Sequence, residues 1–173
     1  MKYTLIGTLI MLMSCAPLGS KTKIYNDTRI KDIQTVGLIT KSLDERRNPY
    51  HTIIKEAFTR TLIEGLEKKN LFRVIILDTM ENEKLEIKTY TAVAAVDALL
   101  LAEWDLAHPN NMVSDAKVKL SLLDKETKEV FLISKHNTLF GNSYWMIPIL
   151  PKTLIDATEG ALRTFAKNIN SRK

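Results

Sequence analysis

The sequence predicts an α/β domain: a mixed β-sheet of about five strands packed by two long amphipathic helices and one short helix. Three observations lead there. The hydrophobic period runs strand, helix, strand, helix, strand, hairpin, helix along the chain. Two long stretches carry apolar residues at helical spacing. A clean two-residue alternation over 117–122 is followed by a polar turn and a return strand, which adds antiparallel pairing to a βαβ beginning.

Residues 35–40, Thr-Val-Gly-Leu-Ile-Thr, form a first strand, short and nearly continuously apolar as in a buried strand. Asn48 and Pro49 then suit a helix start, with Asn as N-cap and Pro in the first turn. In the helix that follows, to about residue 69, Ile53, Ile54, Ala57, Phe58, Leu62 and Leu66 share a stripe. Lys68 and Lys69 oppose the dipole at its end, and Asn70 suits a left-handed cap. Residues 72–77 are a second strand, and Asp78 or Thr79 would cap a short helix over 80–95. Residues 96–104 are a third strand, and Asp97 at its start suits either the cap or end of the preceding helix or a hydrogen bond to the turn into the strand. Residues 117–122 and 129–138 make the hairpin about a turn at 124–128. An aromatic, proline-punctuated loop spans 141–151, and Thr153 with Asp156 has the capping-box pattern for a last helix to about residue 170.

Ahead of this domain stand a basic start (Lys2), an apolar run over 5–13, and Ser14-Cys15. These are the parts of an export signal; the run is shorter than the roughly 20 residues of a spanning helix. Leu12-Met13-Ser14-Cys15 resembles the lipobox of bacterial lipoproteins, with Met13 a less usual residue at its position. The resemblance implies a signal peptide over 1–14 and a diacylglycerol and N-acyl lipid (palmitate-type chains) on Cys15. The tether would then cover 15–33 and the envelope domain 34–173. Cys15 is the chain's single cysteine, so no disulfide is available and the fold rests on its core. Ala16 follows it rather than Asp, which by the same resemblance favours the outer membrane, facing the periplasm. Pro17, Gly19 and Ser20 punctuate the tether, which reaches about 60 Å if extended. Ile24, Tyr25, Ile30 and Ile33 should pack part of it onto the domain.

With the first fourteen residues removed, about 160 remain, enough for one domain. Basic residues then exceed acidic ones by four. That mild excess, alternating in sign over 41–47, argues against a nucleic-acid partner and leaves room for anionic membrane or polysaccharide surfaces.

The segments Leu66 to Val74, Ala94-Ala95-Val96-Asp97-Ala98 and Leu123 to Val130, with the closing amphipathic helix, are together similar to a group of envelope lipoproteins. This is the curli-secretion (CsgG-like) family and its relatives among polysaccharide-export and peptidoglycan-synthase-activator lipoproteins. The similarity spans about residues 35–169. It implies a lipid-anchored, non-enzymatic subunit or accessory factor of an export or envelope-assembly complex, acting by self-association or by binding a larger envelope protein. Pore-forming members carry long membrane-spanning hairpins; the connections here are short, so the accessory members are the nearer comparison.

No catalytic, metal or cofactor pattern emerges. His51, His108 and His136 lack zinc spacing, and Ser143 lies outside a nucleophile elbow. A Ser143–His136–Asp97 constellation is a weak fit, and Glu103 and Asp105, flanking Trp104, read as a solvated strand rim. Two contact regions stand out. Tyr144, Trp145, Met146, Ile147 and Ile149 form the most apolar run outside the signal and strands, suited either to core filling or to a partner or membrane interface. Trp104 and His108, near Trp145, would line a pocket if the domain were instead a small-ligand or glycan-binding lipoprotein.

Overall fold

A computed structural model describes residues 19–26, 28–43, 51–80, 94–107, 113–141 and 149–172. Six strands form one sheet: β1 (Gly19–Ile24), β2 (Thr35–Ser42), β3 (Arg73–Met80), β4 (Ala98–Ala107), β5 (Val113–Asp124) and β6 (Val130–Gly141). Among the described residues two long helices, α1 (His51–Lys68) and α2 (Ile149–Asn170), accompany a 3-10 turn at Ile30–Asp32. The spatial order is β1-β6-β5-β4-β2-β3. β2 runs parallel to β3 and β4, and every other pairing is antiparallel, so the sheet is mixed as the sequence predicts.

The sixth strand is β1, drawn from the stretch read as tether. Its sequence, Gly-Ser-Lys-Thr-Lys-Ile, has no apolar alternation until Ile24, so hydrophobic periodicity cannot reveal it. Three other expectations change. β3 continues through Asp78 and Thr79 to Met80, where a helix cap was expected; of the expected short helix, 81–93 lie outside the described residues, and Ala94 at its end is helical, followed by a turn at Ala95. α2 begins at Ile149, so Pro151 lies in its first turn, where a missing N–H costs nothing, and Thr153 and Asp156 are interior rather than capping. On α1 the buried stripe is Ile54, Phe58, Leu62 and Leu66, with Ile53 left exposed.

Both helices pack on one face of the sheet. Val36 and Leu38 of β2, Leu100 and Trp104 of β4, and Val118, Leu120 and Leu122 of β5 meet α1 and the α2 stripe of Leu154, Leu162, Phe165 and Ile169 there. The helices approach closely: a Cβ on Gly65 would lie 2.4 Å from Leu162 Cδ1. α1 ends as expected, with Asn70 left-handed at φ 49° and the Leu71 N–H bonded to the Leu66 carbonyl at 3.3 Å. Ile30 and Ile33 are buried as expected, whereas Tyr25 is exposed beneath the Lys23 ammonium, 4.6 Å from its ring centre. A smaller cluster of Ile39, Val96, Leu99 and Leu123 lies on the other face of the sheet.

Candidate functional site

The strand registers fix which ends of the elements meet. Gly19 of β1 lies opposite Asn137 of β6, and Gly141 opposite Val113 of β5. Asp115 lies opposite Ala107 of β4, and Trp104 opposite Ser42 of β2. One end of the sheet therefore holds the start of β1, the end of β4, the start of β5 and the exit of β6. α2 starts on this side too: Gly160 lies over His136, and Asn168, two turns on, bonds to Thr22 farther from that end.

Every contact residue read from the sequence, Trp104 apart, lies within a few residues in the chain of a described residue at this end. Cys15 precedes Gly19 by four residues, His108 follows Ala107, and Tyr144, Trp145, Met146 and Ile147 belong to the segment joining Gly141 to Ile149. Cys15, His108 and 144–147 lie outside the described residues; of Ile149 the structure gives its backbone position as the first residue of α2.

Trp104 is placed differently from the pocket reading. It is 1% exposed, with its ring centre 5.9 Å from that of Phe58. Alternation along β4 puts it with Leu100 and Leu106 on the helix-covered face, so it is a core residue. Glu103, expected on a solvated rim, is 9% exposed and accepts a 2.5 Å bond from Lys119 Nζ on β5.

At the opposite end, the Asp97 carboxylate accepts the backbone N–H groups of Gln34 (3.0 Å) and Thr35 (2.8 Å). It thus ties the start of β4 to the start of β2. The β5–β6 turn is built on Asp124, whose carboxylate accepts the Glu126 and Thr127 N–H groups at 2.8 and 2.9 Å. Those bonds, with Arg29 at 2.7 Å, hold the Asp124 carboxyl below its ordinary range.

One cluster escapes a reading of the sequence. His136 on β6 faces α2, and its Nδ1 lies 2.6 Å from Ser20 Oγ on β1, which also donates to the Gly160 carbonyl at 3.4 Å. Gly160 permits this approach, since a Cβ there would sit 2.4 Å from His136 Nε2. Burial pushes the imidazole below its ordinary pKa, and the Arg163 guanidinium adds to the effect. In a serine–histidine catalytic pair Nε2 faces the hydroxyl and a carboxylate orients Nδ1. Here Nδ1 faces Ser20 and the Nε2 edge rests on a helix backbone, so the cluster clamps β1, β6 and α2 together. Asp97 stands at the other end of the sheet from His136, since Ala98 aligns with Asp124 beside the hairpin turn. The Ser143–His136–Asp97 constellation is not assembled at its His–Asp contact; Ser143 lies outside the described residues.

Among the described residues no group of three or more His, Cys, Asp or Glu side chains is placed to hold a metal ion. Among the same residues no helix is long and apolar enough to cross a membrane.

No family model matches the chain, and no curated protein matches it. Solved structures do. The PelC dodecamer from Paraburkholderia phytofirmans is similar at 8% identity and TM-score 0.49, over 82% of this chain and 95% of that one. Lipoprotein GNA1162 from Neisseria meningitidis is similar at 15% identity and TM-score 0.45, over 78% of this chain and 99% of that one. Rare lipoprotein B from Shewanella oneidensis is similar at 15% identity and TM-score 0.37, over 80% and 98%. Likeness at this level carries no function from those proteins to this one.

Proposed function

We propose that this protein is a lipid-anchored envelope protein, a non-enzymatic subunit or accessory factor of an export or envelope-assembly complex held at the outer membrane. The observation that carries the reading is the start of β1 four residues after Cys15. Four residues extend at most about 14 Å. A lipid on Cys15 would therefore fix the sheet edge close to the bilayer, at a defined end, rather than on a long leash. The segment carrying Tyr144, Trp145, Met146 and Ile147 leaves and re-enters the fold at that same end, where its amphipathic aromatics suit a membrane interface or a membrane-bound partner. The similarity to the CsgG-like family and its accessory relatives motivates the assembly role. The outer strand β3, with Ile76 exposed on it, offers an edge for a second copy or a larger partner. A glycan pocket built on Trp104, His108 and Trp145 has less support, because Trp104 is spent in the core.

Two measurements on the full-length protein in its own membrane test this. The native protein should incorporate labelled palmitate and partition into detergent, and Cys15→Ala should do neither. Cys15→Ala that still enters the detergent phase refutes the anchor. Mass in mild detergent should exceed that of one chain, or a second envelope protein should co-purify; a lone monomer refutes the assembly role.

A further inference from the structure

The sheet face turned away from the helices has its own pattern. Register places Lys21 of β1 opposite Lys135 of β6, Lys135 opposite Lys119 of β5, and Lys119 opposite Glu103 of β4. Directly paired residues point to one side of a sheet, so three lysines on adjacent strands stand in a row. Lys23 and Lys117, two residues along their strands, share that side. Ser20 and Thr22, the alternate residues of β1, bond to His136 and Asn168 on the helix side, which fixes the lysines to the other. Lys21, Lys23, Lys117 and Lys135 are exposed, and no described helix packs over them. Lys119 is neutralised by Glu103 and Lys117 by Asp115 at 3.2 Å. Lys21 and Lys135 have no ion pair among the described residues.

Like charges directly opposite on neighbouring strands destabilise a sheet, so the row is not explained by folding. Lysines on an edge strand discourage edge-to-edge aggregation, which accounts for β1; ion pairs to Glu103 and Asp115 account for β5, and neither reason covers Lys135 on the interior strand β6. The exposed ammonium groups of Lys21, Lys23 and Lys135, side by side on one face, do match an anionic surface. Lys21 lies six residues from Cys15, at most about 22 Å of chain, so a lipid there would bring this face to the bilayer. We infer that the Lys21–Lys135–Lys119 face docks on anionic phospholipid headgroups of the membrane in which Cys15 is anchored. The inference rests on the anchor proposed above and adds the orientation: the β1-β6-β5 half of the open face turns to the bilayer and the helices turn away. An acyl anchor joined to a basic patch holds a protein more firmly than either alone.

The test uses full-length protein purified from its own membrane, with vesicles of phosphatidylcholine alone or mixed with phosphatidylglycerol. The anchor should give binding to both. The lysine face should add a preference for phosphatidylglycerol that salt removes. Each lysine near an anionic surface is worth about fivefold, so Lys21→Gln/Lys135→Gln should lose about 25-fold on the mixed vesicles and nothing on the neutral ones. This double variant relieves like-charge repulsion, so its thermal midpoint should equal or exceed that of the native protein. Loss of binding to neutral vesicles with the salt-sensitive preference intact defeats the anchor alone. An equal preference in native and double-variant protein overturns the lysine face. Binding to dextran sulfate without any preference for phosphatidylglycerol also overturns it, in favour of an acidic polysaccharide.

Discussion

The two faces of the sheet solve opposite problems with similar residue types. On the helix side of β1 and β6, Ser20, Thr22, Ser134 and His136 are polar groups beneath a helix, and each has a partner. Ser20 and His136 bond to each other, Thr22 accepts from Asn168, and Ser134 donates to the Ala161 carbonyl at 3.4 Å. On the other side of the same strands, Lys21, Lys23 and Lys135 stay in water and repel one another. A buried polar group must be satisfied inside the protein at fixed geometry, whereas a solvated one is free to serve an outside partner. The covered face is therefore where substitutions threaten the fold, and the open face where they should change what the protein touches.

The largest expected effect is at Trp104. Trp104→Ala removes a fully buried ring from contact with Phe58 and should cost about 3–5 kcal/mol in urea unfolding. A variant of native stability would remove Trp104 from the core and restore it as a candidate binding residue. Next comes Gly160. In an exposed helix Gly→Ala stabilises by about 1 kcal/mol. Here the new Cβ would meet the His136 ring, so Gly160→Ala should instead lose about 1–3 kcal/mol, as overpacking does. His136→Ala/Gly160→Ala should recover most of that loss in a double-mutant cycle. Additive losses would show that the clamp is not tight.

The smallest effect is on pH dependence. The folded pKa of His136 lies below its ordinary value near 6.5, so between the two the unfolded chain binds more protons. The contribution is complete above about pH 6.5 and is lost as pH falls through the folded value. Thermal midpoints between pH 8 and pH 5 should fall on acidification, with a shallower fall in His136→Gln. Identical slopes would place the imidazole in water and erase the contrast between the two faces. Asp124, whose folded pKa is lowered, adds stability above its ordinary value near 3.8 that is lost only as pH falls through its own folded value. The two groups are thus separable by pH.

The central and closing elements could be read from the sequence because each advertises its burial locally. Val36 and Leu38, the α1 stripe at Ile54, Phe58, Leu62 and Leu66, and the β5 alternation of Val118, Leu120 and Leu122 repeat at the period of their element. Asn70 as a left-handed cap and the polar β5–β6 turn were legible from local backbone chemistry. β1 was not, because its inward residues are Ser20 and Thr22, made tolerable by His136 and Asn168 from more than a hundred positions away. A similar distance hides the lysine row: Lys119 and Lys135 face each other within the hairpin, but Lys21 lies more than a hundred positions from Lys135 and only the pairing of β1 with β6 aligns it with them. Trp104 shows the reverse error. Its neighbours Glu103 and Asp105 suggest a polar rim, while alternation on a strand sends it inward alone. By itself the sequence determined the mixed α/β class, the two amphipathic helices and the hairpin, since those follow from local period and capping. Only the tertiary structure decided which face each polar residue met, because that depends on the register between strands distant in the chain.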